Sequence, residues 1–197
     1  MSTAKRELDA AATRELLLRS ALPLFLQRGF GQVSAEELVR SAGLSRGALY
    51  HHFDGKLGLF RELVSAEQVK AARRMRAVMA DDTDPLQSAI AGAREFLRMC
   101  CGREYREIVL LQGPIALGWD EWRSLDHEHL GGLVVAGVRA MQREGLLPPQ
   151  ASPDLLAAAL YGALTELSLV VAHAPDVDAE LERAAGVFES VLIGLGP

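Results

Sequence analysis

A short run of residues near the N-terminus carries the side chains that proteins use to hydrogen-bond to double-stranded DNA. Arg46 can donate two hydrogen bonds to a guanine edge, and the small Gly47 and Ala48 beside it let the backbone approach the bases. Tyr50 and His51 have the reach to contact flanking phosphates. These residue types and spacings predict nine DNA-contacting residues: Ser34, Ser45, Arg46, Gly47, Ala48, Tyr50, His51, His52 and Lys56.

Two of these residues are predicted to contact DNA because they lie at helix ends, and several others have an alternative interpretation. Ser34 and Lys56 stand at predicted helix N-termini, where free backbone amides favour phosphate. Alternatively, Arg46 contacts only phosphate and no base, and Tyr50 is a core aromatic. The two neighbouring histidines can be ordinary solvated surface residues. The sequence leaves these alternatives open.

The elements that position these residues are three short helices. The first is predicted over about 10–28 and ends at Gly29. Ser34 followed three residues later by Glu37 is a capping box that starts the second, and Ser45 caps the third. Apolar residues between the second and third helices form a small core that holds them as a helix-turn-helix: Leu38, Leu44, Leu49 and Phe53.

The rest of the chain also has helical periodicity, and no segment alternates like a strand. The break at 81–85 separates a long fourth helix from those that follow. We predict an all-α fold with DNA binding in residues 1–56 and ligand binding and dimerisation in residues 57–197. Further helices are predicted over about 85–101, 104–112, 119–144, 153–173 and 178–194.

Charge is distributed unevenly along the chain. The net charge is −5, although residues 1–56 carry +2 and the remainder carries −7. A slightly basic N-terminal part on an acidic body is typical of a protein that offers DNA one end only. The difference is small, so the motif itself has the greater weight.

About 45 residues near the N-terminus resemble the N-terminal signature of the TetR family of regulators. The resemblance is carried, in order, by ALPLF, GF, VSAEELVRSAGLSRGALYHHFDGK and LF. Gly29-Phe30, the turn 42–45 and Lys56 fall where that family has them, while Val33-Ser34-Ala35 replaces a more threonine-rich helix start. The resemblance implies an all-helical homodimer with one recognition helix per subunit. It also implies a C-terminal domain that binds a small molecule and pairs the subunits.

Both tryptophans of the chain lie in one segment, three residues apart, and they suit either packing or the wall of a ligand cavity. Few charges lie nearby, chiefly Glu166 and Asp126, so the expected effector is largely hydrophobic or aromatic and neutral or weakly cationic. The predicted ligand-binding residues are Phe96, Met99, Cys100, Tyr105, Trp119, Trp122, Tyr161 and Glu166.

The last two helices are predicted to pair the subunits. The helix over 153–173 is apolar on nearly every side, so it must be covered from more than one direction. Two such helices from each subunit would make a four-helix bundle, as the resemblance implies. The predicted interface residues are Leu160, Leu164, Val171, Leu181, Phe188 and Val191.

Several classes of function are disfavoured. No phosphate-binding loop, nucleophile elbow or metal-ligand spacing is present, so we expect no enzyme, no metal and no cofactor. The adjacent Cys100 and Cys101 are expected to be free thiols in a reducing compartment. Because the N-terminus lacks an apolar signal core and Glu166 interrupts the apolar stretch 155–174, we expect a cytoplasmic protein without a membrane partner.

The expected partners are therefore operator DNA, a small-molecule effector and a second copy of the chain. A ligand-responsive repressor is the leading interpretation. An activator, a regulator controlled by a protein partner, and a DNA-binding dimer without any ligand remain alternatives at this point.

Overall fold

A computed structural model of the chain describes residues 3–196, with side chains from Leu8 onward. This part of the chain contains no strand, which confirms the all-α prediction. Its α-helices are α1 (Thr3–Arg28), α2 (Ala35–Ser41), α3 (Arg46–His52), α4 (Gly55–Met79), α5 (Pro85–Cys101), α6 (Gly113–Leu117), α7 (Trp119–Asp126), α8 (Gly132–Arg143), α9 (Pro153–Ala172) and α10 (Val177–Gly194).

Three predicted helices differ from the observed ones. The first, predicted over about 10–28, begins at Thr3. The segment predicted over 104–112 is a π-helix, Tyr105–Gln112, that runs directly into α6. The helix predicted over 119–144 is divided by a second π-helical segment, His127–Gly131. There the ring of His127 packs over Gly131, where a Cβ would lie 2.5 Å from His127 Nδ1.

The helix-turn-helix forms as its local signals predict. The Ser34 hydroxyl accepts a hydrogen bond from the Glu37 amide, and the Glu37 carboxylate accepts one from the Ser34 amide, so the capping box is confirmed. The Ser45 hydroxyl accepts from the amide of Ala48. Gly43 turns the chain between α2 and α3 at φ 65°, a conformation that residues with a Cβ rarely adopt.

The helix α4 joins the N-terminal helices to the rest of the chain. Near its start, the Phe60 ring packs edge-on against Phe25 at 5.2 Å between centroids and lies 4.9 Å from the ring of Phe30. Near its end, Ala71 and Met75 are buried against the following helices. One helix thus contributes to the core at both ends of the molecule.

Helix α9 is long and apolar enough to span a membrane by length and composition, with a mean hydropathy of 1.9 over its 18-residue window. A third of that window is buried within the fold, where α9 packs against α5, α8 and α10. Its buried side includes Leu160, Leu164 and Ser168. The helix is therefore part of the helical core, as predicted.

The side chain of Gln112 connects the C-terminal helices to the N-terminal ones. Its Oε1 accepts a hydrogen bond from the amide of Phe30 at 2.9 Å, and its Nε2 donates to the carbonyl of Phe25 at 3.1 Å. Close by, Arg103 donates to the carbonyl of Leu26. The turn after α1 is therefore held by the end of the segment Tyr105–Gln112.

Replacing Gln112 with Leu should loosen this connection. The Phe30 amide would lose its partner in a half-buried place, at a cost of about 1–3 kcal/mol. We expect hydrogen exchange at the Phe30 amide to accelerate at least tenfold in Gln112→Leu. Gln32→Leu, an exposed position whose side chain makes no such bond, is the matched control. Equal exchange rates in the two variants would contradict the connecting role.

Candidate nucleic-acid interface and effector site

The outer face of α3 presents the predicted DNA-contacting side chains to solvent. Ser45, Arg46, Gly47 and His51 are exposed. Tyr50 is 53% exposed, which excludes the interpretation as a core aromatic. Leu49, on the opposite face, is fully buried and fixes the orientation of the helix.

Arg46 is held at the start of α3 by neighbours on both sides. Its Nη1 lies 2.5 Å from Glu36 Oε1 on α2, and its guanidinium lies over the ring of Tyr50 at 5.5 Å from the centroid. Hydrogen bonding to Tyr50 and the negative charge of Glu36 raise the pKa of Arg46. The cation is permanently charged and directed along the exposed face of the two helices.

The two histidines at the end of α3 differ in environment. His51 is exposed and His52 half-buried, and their ring centroids are 4.9 Å apart. Burial lowers the pKa of His52, and the nearby His51 and Arg14 lower it further. His52 is therefore an uncharged hydrogen-bonding group at neutral pH.

Ser34 and Lys56 already have partners within the chain. The Ser34 hydroxyl takes part in the capping box, and Lys56 Nζ donates to the carbonyl of Phe30 at 2.9 Å while lying over its ring. Arg28 and the Ser34 bonds lower the pKa of Glu37 to about 2, so the box stays intact across the physiological range. A phosphate contact from either residue would be made in addition to these roles.

The predicted ligand-binding residues fall into two groups, and the first is a buried cluster. Phe96 lies 6.2 Å from the ring of Tyr105 and 5.5 Å from that of Tyr161, and Met99 and Cys100 are buried on the same helix, α5. All five side chains therefore lie in or beside the core of the C-terminal helices.

The polar end of this buried group contains two residues that the sequence prediction did not place in the ligand site. Tyr161 Oη donates to Asp126 Oδ1 at 2.6 Å, and Gln68 Nε2 donates to the same oxygen at 3.3 Å. We call Gln68, Tyr105, Asp126 and Tyr161 the Asp126 cluster. Burial raises the pKa of Asp126 and raises that of both tyrosines well above the usual range.

Trp119, Trp122 and Glu166 form the second group, which lines an open cleft of about 850 Å³ including its mouth. Trp122 is buried and donates from Nε1 to the carbonyl of Val109, so its role includes packing. Trp119 is 63% exposed, with its ring 5.1 Å from that of Trp122. Trp122 therefore packs in the core, whereas ligand contact by Trp119 stays a prediction.

A third space was missed by the sequence reasoning. A cavity of about 440 Å³, including its open mouth, lies among α4, α5, α8, α9 and α10, and its walls are almost wholly apolar. Met75, Met79 and Met141 line it, and methionine is the residue that adapts most readily to differently shaped apolar ligands. The recurrence of methionine on facing helices is the only sequence signal for this cavity.

The structure corrects most of the predicted dimer interface. The side chains of Leu160, Leu164, Val171, Leu181 and Phe188 are each at most 6% exposed within a single subunit. A side chain already buried in its own core has no surface to offer a partner, so these five are core residues. Of the predicted set, Val191 alone is exposed, at 45%.

Within the part of the chain that the structure describes, no three His, Cys, Asp or Glu side chains are grouped so that they could hold a metal ion. Cys100 is fully buried and Cys101 half-buried, and both are free thiols. Burial raises the pKa of the Cys100 thiol above its ordinary value.

The chain matches two families that together cover most of its length. Residues 17–63 match "Bacterial regulatory proteins, tetR family", and residues 86–195 match "Tetracyclin repressor-like, C-terminal domain". The HTH-type transcriptional repressor BepR of Brucella suis is 36% identical over 93 residues, which are 45% of this chain and 44% of that protein. The chain thus aligns with less than half the length of the curated relatives it matches.

Solved structures extend the likeness to the whole chain. A TetR-family transcriptional regulator from Pectobacterium atrosepticum is 29% identical, with a TM-score of 0.79 over 100% of this chain and 98% of that one. RolR in complex with resorcinol shares the fold at 17% identity, with a TM-score of 0.72 over 96% of this chain and 90% of that one. The two family matches and the likeness of the whole fold therefore indicate the same family. The chain belongs to the TetR family of DNA-binding transcriptional regulators.

Proposed function

We propose that the chain is a homodimeric repressor that binds palindromic operator DNA and is released by a small, largely hydrophobic effector. The observation that carries the proposal is the exposed face of α3, where Arg46, Tyr50 and His51 lie on a helix fixed from behind by Leu49. Such a helix fits the major groove, and a dimer would place two of them one turn of DNA apart. We assign DNA binding to residues 1–56 and the other roles to 57–197.

An exposed apolar surface on α9 and α10 supports pairing with a second copy. Unlike the residues first predicted, these side chains point away from the subunit core, and small residues such as Gly186 between them allow close approach of a partner helix. Two helices from each subunit would bury this surface as a four-helix bundle. The exposed apolar residues are Leu155, Val170, Val187, Val191 and Ile193.

The apolar cavity favours a small-molecule effector over a protein partner. A core filled by side chains would leave no place for a ligand, whereas this apolar cavity has about 40 Å³ that a water-sized sphere can enter and is lined by adaptable methionines. RolR, which shares the fold, binds resorcinol, a small aromatic molecule. We infer that the effector enters the C-terminal helices, and that the protein acts in the cytoplasm, where operator DNA is found.

The segment Tyr105–Gln112 connects the two functions. It starts in the Asp126 cluster and ends at Gln112, which holds the turn after α1. A ligand that prefers one position of this segment would change the orientation of α1–α3. Operator affinity would then fall by the factor by which the ligand prefers the DNA-free protein.

The roles of Arg46 and Lys56 in DNA binding can be separated. We expect Arg46→Ala to cost about 1–3 kcal/mol on the cognate operator and to relax base preference at one position. Lys56→Ala should weaken binding to all sequences alike and flatten the salt dependence. Arg76→Ala, an exposed arginine on α4, is the control and should leave affinity unchanged. Binding titrations at several salt concentrations would measure this, and equal, sequence-independent losses for Arg46 and Lys56 would remove Arg46 from base reading.

Subunit pairing is tested by charge at the exposed apolar surface. Val191→Glu and Val187→Glu would each place a carboxylate in a desolvated seam, which is strongly unfavourable without a partner. We expect monomers in sedimentation with the fold intact, and a loss of tight operator binding because one half-site lacks the avidity of two. Val69→Glu, an exposed valine on α4, is the matched control. If both α10 variants remain dimers, pairing uses another surface.

A further inference from the structure

Three polar atoms of the Asp126 cluster have no hydrogen-bond partner in the described part of the chain. They are Gln68 Oε1, the Tyr105 hydroxyl and Asp126 Oδ2, and each belongs to a side chain that is at least 95% buried. Folded proteins pair nearly all buried polar groups, so three such atoms in one place call for an explanation. Their number and proximity distinguish them from an isolated imperfection in packing.

The three atoms define the chemistry of what they can bind. The Tyr161 hydroxyl and one N–H of the Gln68 amide already donate to Asp126 Oδ1. Two acceptors therefore remain, Gln68 Oε1 and Asp126 Oδ2, together with the Tyr105 hydroxyl, which can donate or accept. A hydroxyl or amino group satisfies this set, whereas a carboxylate would be placed beside Asp126.

The surroundings of the cluster define the rest of the ligand. The rings of Phe96, Tyr105 and Tyr161 supply flat apolar contact beside the polar atoms. Tyr105 also lines an open groove with Met99, and Tyr161 lines a smaller cavity of about 290 Å³ on the side of α7. The nearest cation is Arg123, whose Nη1 is 3.5 Å from Asp126 Oδ2 and which borders the tryptophan cleft. Arg123 therefore lies between that cleft and the Asp126 carboxylate.

We propose that the Asp126 cluster is the polar end of the effector site and selects a neutral or cationic aromatic molecule that carries a hydroxyl or amino donor. The inference rests on the proposed function, since it names the class of effector. Phe96, Tyr105 and Tyr161 hold the ring, and Asp126 and Gln68 accept the donor. The cluster excludes molecules that carry only a carboxylate.

The test uses four probes that share one ring and differ in one group: benzyl alcohol, benzylamine, toluene and benzoate. Binding to the full-length dimer would be measured by calorimetry. We expect the alcohol and the amine to bind at least tenfold more tightly than toluene and benzoate. Failure of all four to bind would overturn the proposal, as would equal affinities for toluene and benzyl alcohol.

Two variants test whether the preference for a hydroxyl or amino group depends on the Asp126 cluster. Asp126→Asn keeps the size of the side chain but removes its charge, and should bring the affinities for benzylamine and benzoate to within threefold of each other. Tyr105→Phe removes an unpaired hydroxyl and adds no polar group, so it should fold and should weaken benzyl alcohol but not toluene. The control is Asp120→Asn, at an exposed aspartate on α7, the helix that carries Asp126. Wild-type preferences in both cluster variants would show that the donor is bound elsewhere.

Operator binding in the same samples separates this inference from the proposed function. If all four probes release operator with equal potency, the protein responds to ligands as proposed, but the Asp126 cluster does not select for a hydroxyl or amino donor. If benzyl alcohol shows the Asp126-dependent preference without changing operator affinity, donor selection stands and the effector role fails. A crystal structure with benzyl alcohol bound away from Asp126, and ordered water on the three atoms, would also overturn the inference.

Discussion

The rest of the structure depends on the packing of α4, because one helix must bury side chains in two different cores. Its 25 residues extend about 38 Å at the α-helical rise, from the N-terminal helices to the apolar cavity. At one end Phe60 interlocks with Phe25 and Phe30, and at the other Met75 lines the cavity. A rearrangement of either core that shifts α4 would therefore also reach the other core.

A second connection also positions the N-terminal helices. The segment Tyr105–Gln112 lies beside α4, and its Gln112 holds the turn after α1 by two hydrogen bonds. The N-terminal helices are therefore positioned both by α4 and by the part of the chain that begins at the Asp126 cluster. Gln68 Oε1 and the Tyr105 hydroxyl of that cluster have no hydrogen-bond partner among the described residues, and a buried polar group left unpaired costs about 1–3 kcal/mol. A cost of this size is more readily explained by recognition than by packing.

Local signals allowed the N-terminal part to be predicted from sequence. The capping box of Ser34 and Glu37, the cap at Ser45 and the glycine in the turn each act over three or four residues, so their outcome does not depend on the rest of the fold. The bounds of α3 and the exposure of Arg46 follow from them.

The C-terminal part could be predicted only in outline. In α9 and α10 apolar residues occur on more than one face, so tertiary packing decides which face is inward. The sequence pattern selected Leu164 and Phe188, whereas the surface carries Val170 and Val191. Gln68 and Asp126 are 58 positions apart, and nothing local indicates that they meet. The two π-helical segments were missed because they carry no local signal comparable to a cap or a turn glycine.

The most direct test of the account is selection of DNA fragments by the purified full-length protein, followed by footprinting on the enriched sequences. We predict an inverted repeat whose two half-sites lie on one face of the duplex, about 10 base pairs or a multiple of that apart, because two α3 helices must enter successive major grooves. Enrichment of no sequence over bulk DNA, or of a single half-site without its repeat, would contradict the proposed dimeric operator reader.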